Sequence, residues 1–204
     1  MNENILAYLV VYLIASIPFG MVLAKIFCGV NLREHGSGSI GATNVLRVIK
    51  EKEPKKAKKL AILTVIFDSL KGFVPIIIAR FIGFDENVLW MMGVLAVVGH
   101  CFSIFLWFDG GKGVATGYGV FAAFLPIEFI ISLFVWFFAG KILKISSLAS
   151  LIGVLSFVIL SFIIHPNLTS INTHAPIFFI SFIIFYKHIP NIKRLILKQE
   201  ARVI

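Results

Sequence analysis

The sequence predicts an all-α integral membrane protein, and three observations carry that prediction. Hydrophobic residues make up 59% of the 204 positions, with 21 phenylalanines among them. Charged residues make up only 14%, where a soluble domain carries roughly a quarter. The apolar residues gather into long runs at about 5–27, 60–82, 88–107, 114–140, 148–164 and 175–186. In lipid, runs of this length satisfy their backbone hydrogen bonds as helices. No stretch is left for a separate soluble domain, so residues 1–204 read as a single polytopic transmembrane domain.

Charge orders these runs across the bilayer. The first is preceded by Glu3 and by no Lys or Arg, so it reads as a span and not as a signal peptide. The loop after it carries Arg33, Arg47, Lys50, Lys52, Lys55, Lys56, Lys58 and Lys59, which puts that loop in the cytoplasm and the N-terminus outside. The loop 83–87 holds Asp85 and Glu86 and no cation, as expected outside, and Lys112 returns inside. A single span over 114–140 would then strand Lys141 and Lys144 outside. Pro126 and the nearby Glu128 interrupt that run, and both disfavour an unbroken span. The expectation is two short segments, about 114–125 and 127–140, turning near Pro126. The total is seven transmembrane segments, N-out and C-in, with the basic tail of Lys187, Lys193, Arg194, Lys198 and Arg202 inside. Cys28 and Cys101 match neither a metal spacing nor a disulfide framework and read as small apolar side chains.

This topology brings five polar patches to one face: 35–47, 68–72 (deeper), 109–119, 145–150 and 186–194. The richest, His35 to Arg47, reads H-G-S-G-S-I-G-A-T-N-V-L-R. Gly36, Gly38 and Gly41 match G-x-G-x-x-G, but no βαβ unit surrounds them, which excludes a dinucleotide fold. Backbone N–H groups, Ser37, Ser39, Thr43 and Asn44 are donors suited to an anion, with Arg47 one helical turn past Asn44. Gly110, Gly111, Lys112 and Gly113 resemble a P-loop without its Ser or Thr. They still place a glycine-rich turn and a cation at a helix start, where anions bind. His100 is a polar side chain inside a span. Asp68 and Lys71, three residues apart, read chiefly as a self-neutralising pair. Ser146, Ser147 and Ser150 open the sixth segment as N-caps, with Ser147 also a candidate donor. His188, Asn191 and Arg194 recur at one-turn spacing. There is no H-x-x-x-x-D dyad, no G-x-S-x-G elbow and no acidic cluster for Mg²⁺.

Taken in order, G-S-G-S-I-G-A-T-N-V-L-R, D-S-L-K-G, V-G-H-C-F, G-G-K-G-V-A-T-G-Y-G, S-S-L-A-S-L and H-I-P-N-I-K-R-L resemble the bacterial membrane acyl-phosphate:glycerol-3-phosphate acyltransferase family over nearly the whole chain. The resemblance implies a multi-pass protein of the bacterial inner membrane with its site facing the cytoplasm. It implies transfer of a fatty acyl group from acyl phosphate to the 1-hydroxyl of glycerol 3-phosphate, giving lysophosphatidic acid and phosphate. By motif it implies that Ser37, Arg47, Lys112, Ser147, His188 and Asn191 surround the phosphate-bearing substrates. Thr43, Asn44, His100 and the loop glycines match the other motif positions. Three residues depart from the pattern: Ser39 replaces Asn, Ser103 replaces Pro and Asp109 replaces Lys. Acyl phosphate is an activated anhydride, so two anions must be held together by cations, here Arg47 and Lys112. The proton acceptor is a substrate phosphate, His188 or His100. No cofactor, metal ion or nucleic acid is expected. The expected partners are the lipid bilayer, the two substrates and, as a candidate, the soluble enzyme that makes acyl phosphate. A transporter of a small phosphate ester would use similar cations, but it should show inverted repeats, and none is evident.

Overall fold

The computed structural model describes residues 2–168 and 170–202. Its helices in chain order are α1 (Glu3–Ser16), α2 (Phe19–Cys28), α3 (Ala42–Lys52), α4 (Pro54–Ile82), α5 (Glu86–Cys101), α6 (Val114–Phe124), α7 (Pro126–Leu143), α8 (Ser146–Ile164), α9 (Ala175–Lys187) and α10 (Ile189–Ile196). No strand forms among the described residues.

The expected break near Pro126 falls at Leu125, between α6 and α7. Glu128 is fully buried there and pairs with His165. Arg80 donates to the Ala123 carbonyl at 2.7 Å and lies over Phe124, supplying a cation at the C-terminal end of α6.

Helix length and composition support a coarser statement than the seven expected crossings. Among the described residues, five stretches are long and apolar enough to cross a membrane: Glu3–Cys28, Pro54–Ile82, Glu86–Leu106, Pro126–Leu143 and Ser146–Ile164. The pair α9 and α10, bent by 57°, makes a sixth only if the two helices count together. The 11-residue α6 is too short to cross alone. The first run is also not one helix. Pro18 has no N–H to continue the ladder, and the chain breaks between α1 and α2. The carbonyls freed there are taken by neighbours. Ser103 donates to Ser16 at 2.6 Å, and the Lys71 ammonium donates to Ile17 at 2.8 Å. Lys71 also forms the expected pair with Asp68, at 2.8 Å and almost wholly buried.

Two glycines bring α4 and α6 into backbone contact. A Cβ on Gly72 would lie 2.3 Å from the Thr116 carbonyl oxygen, and one on Gly119 would lie 2.0 Å from that of Ser69. Small residues at such crossings let helices pack without a hydrophobic driving force. Stacked rings, Phe121 on Phe157 and Trp90 on Phe124, fill the core beyond.

Replacing Lys71 by Ala strands Asp68 in the bundle and uncaps Ile17. The expected loss is about 3–5 kcal/mol, read as a lower thermal midpoint in detergent. Combining Asp68→Asn with Lys71→Met recovers part of it. An equal or larger fall in the double variant would refute the ion-pair account.

Candidate active site

Residues of all five polar patches line one cavity of about 600 Å³. Four helices begin at its wall: α3 at Gly41–Thr43, α6 at Gly113–Ala115, α8 at Ser146 and Ser147, and α10 at His188 and Asn191. Their positive dipole ends therefore face one space. Arg47 and Lys112 line it too, and among the described residues neither makes an ion pair. Burial pushes the Lys112 ammonium down to about 8. Glu200 raises it, and the charges of Arg194, Arg47 and Lys187 lower it further. Between α4 and α7 the cavity turns apolar, with Val65, Phe129, Leu133 and Trp136 on its sides and Tyr118 from α6.

Residues 5–198 match the model of the family described as Glycerol-3-phosphate acyltransferase. The chain belongs to that family. It is 61% identical over 202 residues to the glycerol-3-phosphate acyltransferase of Campylobacter lari, covering 99% of this chain and 100% of the relative. It is 55% identical to that of Wolinella succinogenes, covering 100% and 98%. Among solved structures it is similar to the glycerol 3-phosphate form of PlsY, an integral membrane glycerol 3-phosphate acyltransferase. The TM-score there is 0.88 at 37% identity, covering 98% of this chain and 96% of the other. The lysophosphatidic acid form of PlsY gives 0.83 at 36% identity, covering 98% and 95%.

Within this member of the glycerol-3-phosphate acyltransferase family, the expected site residues fall into two groups. Arg47, Lys112, Ser37, Ser39, Gly41, Thr43, Asn44, Gly113, His100, Ser147, His188 and Asn191 line the cavity, whereas Gly38, Gly110 and Gly111 do not. The N–H groups of Gly110 and Gly111 turn back onto α5, donating to the Cys101 and His100 carbonyls at 3.0 Å. They are not free to meet an anion at the start of α6.

Asn44 lies at the wall, but its amide faces the loop. Its Oδ1 accepts from the Ser37 N–H at 2.9 Å, and its Nδ2 donates to the Ser39 carbonyl at 2.7 Å and to those of His35 and Leu32 at 3.2 and 3.3 Å. The side chain holds the loop in shape instead of offering a donor to a ligand. The expected N-cap role of the serines is also corrected. Ile145 precedes α8 and no side chain caps it. Ser150 bonds the Ser146 carbonyl, while Thr43 and Ser146 meet hydroxyl to hydroxyl at 3.0 Å.

His100 sits between Asp68, 3.7 Å from its Nδ1, and Gly111, where a Cβ would lie 2.1 Å from Nε2. It supports the glycine turn. His188 donates from Nδ1 to the Ile184 carbonyl at 2.7 Å, because a carbonyl can only accept. Nε2 is left as an acceptor. Burial lowers this imidazole to about 4, with the Ile184 hydrogen bond opposing and Lys112 assisting.

Sequence reasoning missed Glu200. Its carboxylate accepts from Asn191 and Arg194 at 2.6 Å and from Ser147 at 2.8 Å. Burial raises this carboxyl, but those hydrogen bonds and the Arg194 charge outweigh it and hold it below the usual range. In sequence it is one acid in a basic tail, and no spacing marks it. Asp109 is likewise engaged, by Arg33 at 2.9 Å and Lys187 at 3.5 Å.

Asn44→Ala is expected to loosen residues 36–39. Amide exchange there should lose about 2–3 kcal/mol of protection while the rest of α3 stays protected. Unchanged exchange would show that other contacts hold the loop.

Proposed function

We propose that this chain transfers a fatty acyl group from acyl phosphate to the 1-hydroxyl of glycerol 3-phosphate, releasing lysophosphatidic acid and phosphate. The observation that carries this reading is a pair of cations, Arg47 and Lys112, in no ion pair among the described residues, where four helix N-termini meet beside an apolar extension. Cations and dipoles without a counter-ion favour anionic ligands. The apolar extension between α4 and α7 suits an acyl tail.

The reaction needs no protein nucleophile. The 1-hydroxyl oxygen attacks the acyl carbonyl carbon, and the carbon–oxygen bond to the leaving phosphate breaks. Arg47 and Lys112 lie where they offset repulsion between the two phosphates, and charge developing on the acyl oxygen is stabilised by the same field. Holding both substrates in place supplies much of the rate. At a value near 4, His188 is a weaker base than a phosphate monoester, whose second pKa is about 6. The hydroxyl proton therefore passes to a substrate phosphate. Ser147 and Asn191 reach the substrates through the arrangement that Glu200 sets. The basic loop between α2 and α4 puts the site on the cytoplasmic side of a bacterial inner membrane, where a soluble acyl-phosphate-forming enzyme has access.

Purified protein given palmitoyl phosphate and labelled glycerol 3-phosphate should form labelled lysophosphatidic acid. Binding without product would refute acyl transfer. Arg47→Ala and Lys112→Ala should each lower kcat/KM by about 10²-fold or more. His188→Gln should cost only a few-fold, and a loss near 10³-fold would make His188 the base.

The pH profile gives a separate check. The Lys112 cation is present below about 8 and lost above it. The kcat/KM for glycerol 3-phosphate should fall as pH rises through that value, and Lys112→Arg should move the falling limb upward.

A further inference from the structure

Five apolar residues, Ile104 to Phe108, join α5 to the glycine turn at the site end of the bundle. Trp107 is 91% exposed, and Phe105 and Phe108 are more than half exposed. None of the five lines the cavity or belongs to the buried core. Trp107 and Phe108 both have positive φ, 52° and 62°. Bulky side chains rarely adopt this conformation, and it persists where the surroundings enforce it.

Here the base of a hairpin enforces it. The Ser103 carbonyl accepts from the N–H groups of Leu106 at 3.0 Å and Phe108 at 2.8 Å. Asp109 donates its N–H to Leu106 at 3.1 Å, and Arg33 and Lys187 hold its carboxylate. The base is locked and the aromatic tip projects outward.

What the tip continues identifies what covers it. Phe102, at the hairpin's foot, lies 6.5 Å from Tyr186, ring centre to ring centre. Tyr186 and Phe182 are exposed on α9, an apolar helix that also exposes Phe178 and Phe179. Lys187 lies over the Phe102 ring at 5.2 Å. Aromatic rings with cations beside them are the composition of a membrane–water interface.

We propose that the Ile104–Phe108 hairpin is an interfacial anchor. It seats its aromatic tip among the lipid head groups and so fixes the depth of the Gly110–Gly113 turn and of Lys112. That depth matches Lys112 to the phosphate of a donor held in the membrane by its acyl tail. The anchoring stands by itself, and the depth-setting role rests on the acyl-phosphate reading above.

The test uses the full chain in phospholipid vesicles. Trp107 emission is taken as the difference between the intact protein and Trp107→Phe. Lipids brominated near the head-group end of the chain should quench it, and aqueous iodide should not. Iodide quenching without lipid quenching would overturn the anchor. Trp107→Ser should raise KM for vesicle-borne palmitoyl phosphate roughly threefold or more. It should leave KM for glycerol 3-phosphate unchanged, and Trp107→Phe should keep both values. Equal rises in both KM values would overturn depth-setting. If Trp107→Ser does not fold, Phe105→Ser carries the same kinetic test. Lipid quenching in an intact protein that transfers no acyl group would refute the acyl-phosphate reading and leave the anchor standing.

Discussion

Electrostatic repulsion within the cavity is the constraint around which the rest of the molecule is arranged. Four positive helix ends, Arg47 and Lys112 face one space of about 600 Å³. Like charges gathered so closely repel one another, and an anion among them is stabilised. Burial already pushes Lys112 toward losing its proton. Anionic substrates relieve that strain, so the charge pattern selects for the ligands a phosphate-handling acyltransferase needs. Glu200 moderates it from within, fixing Ser147, Asn191 and Arg194 with a single carboxylate.

Two of the apolar runs are broken, and the carbonyls freed at each break are taken by side chains from elsewhere in the chain. Lys71 and Ser103 take the carbonyls freed at the end of α1. Arg80 takes one at the end of α6. In lipid an unsatisfied backbone group costs several kcal/mol, so these polar contacts are conditions of the fold. The Asp68–Lys71 pair belongs with them. Its ammonium serves a helix end, its carboxylate neutralises the ammonium, and His100 packs beside it against the glycine turn.

Much of this was legible in the sequence. The lysines flanking 114–140, together with Pro126 and Glu128, predicted a turn that lies within a residue of the expected place. The five polar patches were expected at one face, and residues of all five line one cavity. The break at Pro18 was not seen, because no charge sits near it to conflict with an unbroken span. Asn44 was read as a donor to a ligand, since composition shows which groups are present and not where they point. Gly110 and Gly111 were expected to offer N–H groups to an anion at a helix start, yet those groups are spent on α5.

By itself the sequence determined the helical class, the apolar spans, the polar end and the family, because those follow from periodicity, charge placement and motif order. Tertiary structure alone decided which polar groups remain free for a ligand. Hydrogen bonds are short and directional, so whether an amide or hydroxyl faces the cavity or its own loop depends on partners distant in the chain. Glu200 meets Ser147 across 53 positions and Thr43 meets Ser146 across 103. Only the packing of α3, α6, α8 and α10 brings Arg47 and Lys112 to one cavity with neither in an ion pair among the described residues.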